Sequence, residues 1–329
     1  MRIAGAELSS FNRPFLVAEA GSAHHGQADA ALRLTRAAVE TGADAVTFQE
    51  IDEKRLYAEL RDLPVPPQPR VGWDCLRECR DIARGSGLAF SVCVTDAASL
   101  AKAMALEIDF IKIVSYDVTF LPFLRECGQT GLPVLMSTGA SLFAEVEQAL
   151  SALNASDRVV LYHTDCGYPT QDSEVNLRRM LQLHARFGLP VGYCDHTDHG
   201  LSCLAAAALG AAVIEKHFAL TRTAGEGDAA VSISAPELAD LFRDIKRVAA
   251  MLGDGADRVA PGDVYRRYHL RRSVALNRAI RQGETIDEGA LTMLRPGGGL
   301  GWPDRGAVVG KVAARDLPRR HQISNDDVR

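Results

Sequence analysis

The sequence predicts an α/β fold, a (β/α)8 TIM barrel followed by a small C-terminal β-rich domain. Three observations point to it. A helical run, a glycine-containing turn, a short apolar strand and a polar loop recur along residues 1–253, and eight such units in about 250 residues suit a closed parallel barrel. The mid-strand residues Val46, Phe90, Ile111, Val134, Val160, Val191 and Val213 are separated by 44, 21, 23, 26, 31 and 22 positions, so only the first interval is long. Nearly every strand ends on polar side chains: Glu19, Gln49, Lys112 with Ser115, Ser137 with Thr138, His163 with Asp165, Asp195 with His196, and Glu215 with His217. Barrel enzymes place their chemistry at such a rim. The competing architecture, a doubly wound open sheet, needs a crevice where the strand order reverses.

Phe15–Ala20 is the first strand. Asp29 is placed to cap a helix running to Thr41, with Gly42 as its stop, and Ala43–Gln49 is the second strand. From Glu50 to Gly72 the chain carries Pro64, Pro66, Pro67 and Pro69, which predicts a long loop over the rim in place of regular structure. Helices over 73–84, 97–106, 119–129, 142–152, 173–187 and 200–209 then lead, in turn, to strands Leu88–Val94, Phe110–Val114, Val134–Ser137, Arg158–His163, Val191–Asp195 and Val213–His217. A last helix covers 236–252.

Residues 254–270 begin with Gly, Asp, Ala and Pro and read as a linker. Residues 271–329 carry shorter periodicities, and Val274–Ile280 is loosely echoed by Val312–Leu317. Each echo precedes a turn and an acidic pair, Asp287-Glu288 or Asp326-Asp327. Between them Arg295-Pro296-Gly297-Gly298-Gly299 is an open loop presenting an arginine.

Hydrophobic content of 47% and charged content of 24% suit a soluble globular protein, and a net charge of −5 argues against a general nucleic-acid binder. Residues 256–329 hold 14 Lys+Arg against 9 Asp+Glu, leaving 23 against 33 in the remainder. That imbalance suits subunit docking or recruitment of an anionic substrate, and a solvated surface explains it equally well. The N-terminus lacks a signal peptide's apolar core, and no apolar run approaches a membrane span. Seven cysteines without zinc-ribbon spacing read as reduced thiols of a cytoplasmic protein.

His196 and His217 end consecutive strands, which sets two imidazoles side by side at the rim. Two neutral imidazoles make a borderline divalent-metal site with positions left open for water and substrate. The alternative is a pair of structural histidines.

The motifs Val17-Ala18-Glu19-Ala20-Gly21, Gly42-Ala43-Asp44-Ala45-Val46-Thr47-Phe48-Gln49, Ile111-Lys112-Ile113-Val114-Ser115, Ser137-Thr138-Gly139, Tyr168-Pro169, Asp195-His196-Thr197 and Glu215-Lys216-His217-Phe218 resemble, in this order, those of the sialic acid synthases. The segment from Arg271-Arg272-Ser273, with Arg295-Pro296-Gly297, resembles that family's antifreeze-protein-like (SAF) domain. The resemblance implies a barrel that condenses phosphoenolpyruvate with an N-acyl-amino sugar such as N-acetylmannosamine, in a domain-swapped homodimer. It implies that His196 and His217 hold manganese or magnesium as a Lewis acid on the sugar aldehyde, and that Glu19 orients or deprotonates the attacking water or hydroxyl. Gln49, Tyr168, Glu215 and Asp228 would meet the sugar, and Arg295 would reach the acyl group from the other subunit. Lys112, Ser115 and Ser137 would bind the donor's phosphate and carboxylate.

Several positions depart from the family pattern. Thr47 stands where a Lys is expected and Ala23 where an Asn precedes His24; Ser91-Val92-Cys93-Val94-Thr95 replaces a Ser-Thr-Pro-Phe-Asp run. Asp165, Cys166, Cys194 and Ala229 replace Thr, Ser or Asn, Ser and His. By the resemblance Thr47, Val92, Cys166 and Cys194 occupy positions that donate to phosphoenolpyruvate. Hydrogen bonds to a charged group contribute about 1.5–3 kcal/mol each, so losing most of them forfeits about 4 kcal/mol, on the order of a thousandfold in affinity. This leaves open a diverged enzyme that uses a different enol donor, such as one from pyruvate, or performs another metal-assisted aldol-type reaction or isomerisation on a sugar. A variant of it has Asp165 or Glu19 join the two histidines around a metal such as Fe(II), and a non-catalytic carbohydrate binder is the third possibility.

Overall fold

A computed structural model describes residues 1–58, 69–222 and 227–329. These fall into two compact units, Met1–Gly253 and Asp254–Arg329.

In the first unit the strands Phe15–Gly21 (β1), Ala45–Gln49 (β2), Ala89–Cys93 (β3), Ile111–Ile113 (β4), Val134–Ser137 (β5), Val159–His163 (β6), Val191–Asp195 (β7) and Val213–Ala219 (β8) pair in parallel, each with the next. β8 pairs with both β7 and β1, through Glu215 opposite Cys194 and His217 opposite Glu19. The sheet is therefore a closed barrel, not an open doubly wound one.

These strands are buried on both faces, which is why they read as near-continuous apolar runs. One cluster, with Phe48, Phe90, Ile111, Met136, Leu161 and Ile214, fills the layer between strands and helices. The other, with Phe15, Val17, Ala89, Phe110, Val160, Tyr162 and Val213, fills the barrel interior. Ile3 and Leu8 join it from a short N-terminal hairpin that pairs Arg2–Ile3 with Ala6–Glu7. The interior is packed at the strand starts, and the opposite rim is left for the site.

Some local expectations are corrected. The first helix, Ala28–Glu40, starts after Gln27 without a side-chain cap, and Asp29 lies in its first turn and pairs with Arg33. Glu53–Leu56 forms one helical turn inside the proline-rich excursion; Pro64, Pro66 and Pro67 lie outside the described residues. The helix expected over 173–187 is regular only from Arg178 to Phe187. The stretch read as a linker contains the helix Pro261–Leu270, with proline at its start and no buried residue. Its larger apolar side chains, Val264, Tyr265, Tyr268 and Leu270, are all exposed.

In the second unit Ser273–Leu276 (β9) pairs antiparallel with Leu291–Leu294 (β10). The two sequence echoes meet at the Ile280–Leu317 bridge; Asp287 caps the short 3-10 turn Glu288–Ala290, and Asp326-Asp327 lies within the turn Asn325–Asp327. Asp327 is buried and accepts from Arg315 at 2.7 and 3.1 Å, from Ser324 at 3.0 and 3.1 Å, and lies 2.8 Å from His321 Nε2. Burial would raise its carboxyl, but these partners outweigh it and hold it at about 2. A depressed carboxylate stabilises above its unfolded pKa, and that stability is lost as pH falls toward the folded value. Asp327→Asn is expected to cost this unit about 1–2 kcal/mol at pH 7, allowing for the exposure of Arg315, with the difference from the parent closing between about pH 4 and 2. Trp302 fluorescence in a Trp73→Phe background during denaturation measures it.

Candidate active site

At the strand ends of the first unit lies a cavity of about 630 Å³. Gln49, Lys112, Ser115, Ser137, Tyr168, His196, His217 and Asp228, all named from the sequence, line it. Glu19 and Glu215 lie just beneath, fully buried, and reach it through Lys112 and Cys194. Arg295 belongs to the second unit, exposed in its glycine loop.

Alternation along the strands decides which side chains arrive. Cys194 on β7, His196 just after it, and Glu215 and His217 on β8 face inward, while Asp195 and Lys216 face the helices. The Asp195 carboxylate accepts from Lys216 at 2.7 Å, Tyr193 at 2.8 Å, Ser202 at 2.9 Å and Thr197 at 3.0 and 3.1 Å. Burial would raise it, but Lys216 outweighs that and lowers it. Lys216 also donates to the Thr197 carbonyl. This fully buried knot braces the loop that carries His196.

The two imidazole rings stand 5.4 Å apart, centroid to centroid. His196 Nδ1 contacts the Asp165 carbonyl, so Nδ1 carries the proton and Nε2 presents its lone pair, 3.0 Å from the Tyr168 hydroxyl. Burial, reinforced by His217, pushes His196 down to about 3 and keeps it neutral. His217 Nδ1 lies 3.7 Å from Asp228 Oδ1. Asp228 Oδ2 accepts from the Ser22 backbone at 2.9 Å and hydroxyl at 2.7 Å. Gly21, at φ +50°, allows this approach, because a Cβ there would meet Asp228 Oδ2 at 2.4 Å.

The charges invite a divalent cation. Glu19, Glu215 and Asp228 exceed Lys112 by two negative charges in this buried group. Two rings bound through nitrogen to one tetrahedral ion would have centroids about 5 Å apart, which the observed spacing matches. Among the described residues no three His, Cys, Asp or Glu groups already converge on one point. The histidine pair therefore fits a metal whose other positions fall to water or substrate. Neither Glu19 nor Asp165 joins that pair as a carboxylate partner: Glu19 is held by Lys112 and Thr47, and Asp165 turns toward His163.

Lys112 is the only Lys or Arg among the described lining residues. It bridges Glu19 and Glu215, the latter at 2.6 Å. Burial opposes its charge, but the two carboxylates outweigh this and raise it well above the usual lysine range. Thr47 donates to Glu19, and Cys194 donates to Glu215 at 3.1 Å. Val92, expected at the donor site, packs instead in the outer core, while Cys93 lies beside Lys112. His25, not His24, lines the cavity; His24 is buried against Phe48.

Sequence reasoning missed Tyr57, Tyr116 and Asp117 on the lining. Burial and then Asp96 raise Asp117 to about 6. Its signal was available: it stands two residues after Ser115, on a polar loop where a strand has ended. The seven cysteines, all among the described residues, are free thiols.

Comparison with known proteins agrees with this fold. Residues 34–257 match the NeuB family and residues 271–329 the SAF domain. The chain is 31% identical over 324 residues to the N,N'-diacetyllegionaminic acid synthase of Legionella pneumophila, across 92% of this chain and 91% of that protein. It is 30% identical over 323 residues to the N,N'-diacetyllegionaminic acid synthase of Campylobacter jejuni, across 92% and 97%. A crystal structure of N-acetylneuraminic acid (sialic acid) synthetase from Leptospira borgpetersenii, in complex with citrate, aligns with a TM-score of 0.74 at 25% identity, over 81% of this chain and 94% of that one. With the family match spanning most of the barrel, the chain belongs to the NeuB family and carries a C-terminal SAF domain.

Proposed function

We propose that the protein is a carbon–carbon bond-forming synthase that joins the enol carbon of phosphoenolpyruvate to the open-chain aldehyde of an N-acetylmannosamine-like sugar, giving a nonulosonic acid and phosphate. The observation that carries this reading is one cavity gathering the histidine pair with Gln49, Tyr168 and Asp228, beside Lys112, Ser115 and Ser137. The nonulosonic acid synthases among its relatives support the product class.

A divalent ion, manganese or magnesium, held by His196 and His217 would supply Lewis-acid polarisation of the aldehyde oxygen. The chain's own residues do the rest. Asp228 and Gln49 orient the sugar by accepting from and donating to its hydroxyl and amide groups. Tyr168 closes over the aldehyde, its ring 4.3 Å from that of His196. Ser115 and Ser137 offer hydroxyls to the donor, and Lys112 presents the cation that its carboxylate begins to use. Glu19 acts through Lys112, holding the ammonium in place.

One observation favours a second reading, an enol donor without the phosphate, such as one from pyruvate. Lys112 is already shared by two carboxylates, and Thr47 and Cys194 spend their donors on the same two groups. A trianion meets a weakened cradle there. The first reading expects phosphate release only when phosphoenolpyruvate, amino sugar and metal are all present. Calorimetry with the manganese-loaded protein separates the two, because the second expects no saturable heat from phosphoenolpyruvate.

We further propose a cytoplasmic homodimer in which Arg295 of the partner subunit serves the sugar's acyl group; sedimentation at a monomer's mass would end that proposal. No helix among the described residues is long and apolar enough to cross a membrane.

A further inference from the structure

Cys194 faces the same space as the two histidines. Its Sγ lies 3.7 Å from His196 Nε2 and donates to Glu215 Oε1 at 3.1 Å. A thiolate and an imidazole sharing one tetrahedral zinc, at bond lengths near 2.3 and 2.1 Å, place sulfur and nitrogen about 3.6 Å apart. Glu215 Oε2 is buried without a hydrogen-bond partner among the described residues. His217 lines the same cavity beside Cys194 and His196.

We propose that Cys194 is a third protein ligand to the divalent ion held by His196 and His217, which makes the site select a thiophilic ion such as zinc or cobalt(II). The proposal rests on the metal-site reading above and deepens it. As the ion binds, the S–H bond breaks, the proton passes to Glu215, and a sulfur–metal bond forms. Glu215 becomes neutral, leaving Lys112 paired one-to-one with Glu19. The ion's two positive charges are then met by the thiolate and Asp228. The three donors do not converge beforehand because the thiol is turned onto Glu215 and the Tyr168 hydroxyl rests on His196 Nε2. Both are single side-chain contacts that the ion replaces.

Thiolate and imidazole favour zinc and cobalt(II), whereas manganese and magnesium prefer oxygen. The test is a titration of the full-length protein, freed of metal by chelation, with cobalt(II) alone, followed by absorbance. The expected result is a sulfur-to-cobalt charge-transfer band in the near ultraviolet that saturates at one ion per chain. Cys194→Ser should lose that band, and Cys166→Ser, which alters another thiol on the same cavity, should keep it. Cys194→Ser should also weaken zinc binding at least about tenfold while manganese binding stays within about twofold.

A saturating cobalt spectrum without the band, or one unchanged in Cys194→Ser, overturns the proposal while leaving the two-histidine site intact. If no divalent ion binds the parent at all, the metal in the proposed function falls with it. Circular dichroism of the two variants establishes that both are folded.

Discussion

Replacing Lys216 by Met is expected to cost the barrel about 3–5 kcal/mol, the largest stability loss of any single change considered. Lys216 and Asp195 are both fully buried, and removing the ammonium strands a carboxylate in the layer between strands and helices. The remaining donors from Tyr193, Ser202 and Thr197 are neutral and do not replace a charge. Without Lys216, burial governs the carboxyl and raises it, so the penalty is greatest at neutral pH and shrinks as acid protonates Asp195. Asp195→Leu combined with Lys216→Met should recover much of the loss, because an apolar pair leaves no unpaired charge. Trp73 fluorescence in a Trp302→Phe background reads barrel unfolding. A loss below about 1 kcal/mol in the single variant would show that the pair does not brace the loop.

The second large effect concerns His196 and His217. Changing either to Ala should lower turnover by about a thousandfold or more, which corresponds to roughly 4 kcal/mol of transition-state stabilisation. Each variant should keep the parent's unfolding midpoint within a few degrees, since neither ring fills the apolar interior. Chelation of the parent should reproduce the loss, and added metal should restore the parent but not the variants. Turnover that survives both substitutions would remove the metal from the mechanism.

Much of the fold was legible because a barrel repeats its grammar. Glycine stops such as Gly42, Gly188 and Gly210, each at positive φ, punctuate helices whose amphipathic stripe is strong, and the strands between them are apolar. The facing of individual residues was harder to read. In a strand buried on both sides, inward and outward positions are equally apolar, so Val92 could not be told from Cys93 by pattern alone. Asp195 and Lys216 lie beside His196 and His217 in sequence, yet period-2 alternation sends them to the opposite face. The Lys112 bridge between Glu19 and Glu215 joins residues 93 and 103 positions away, a pairing that only closure creates. Tyr57 and Tyr116 escaped notice because a rim tyrosine looks like any exposed aromatic. Helix 261–270 escaped because nothing in it is buried.

The ladder that sets Glu19 beside His217 joins the first strand of the barrel to the last. During synthesis, β1 leaves the ribosome some 200 residues before its partner exists, and its backbone groups on that side must wait. A chain cut before Val213 would expose two open strand margins at once, a template for self-association. Such truncated products should precipitate or be degraded, not persist as partly active fragments, and the nascent polypeptide gains its histidine pair only near the end of barrel synthesis.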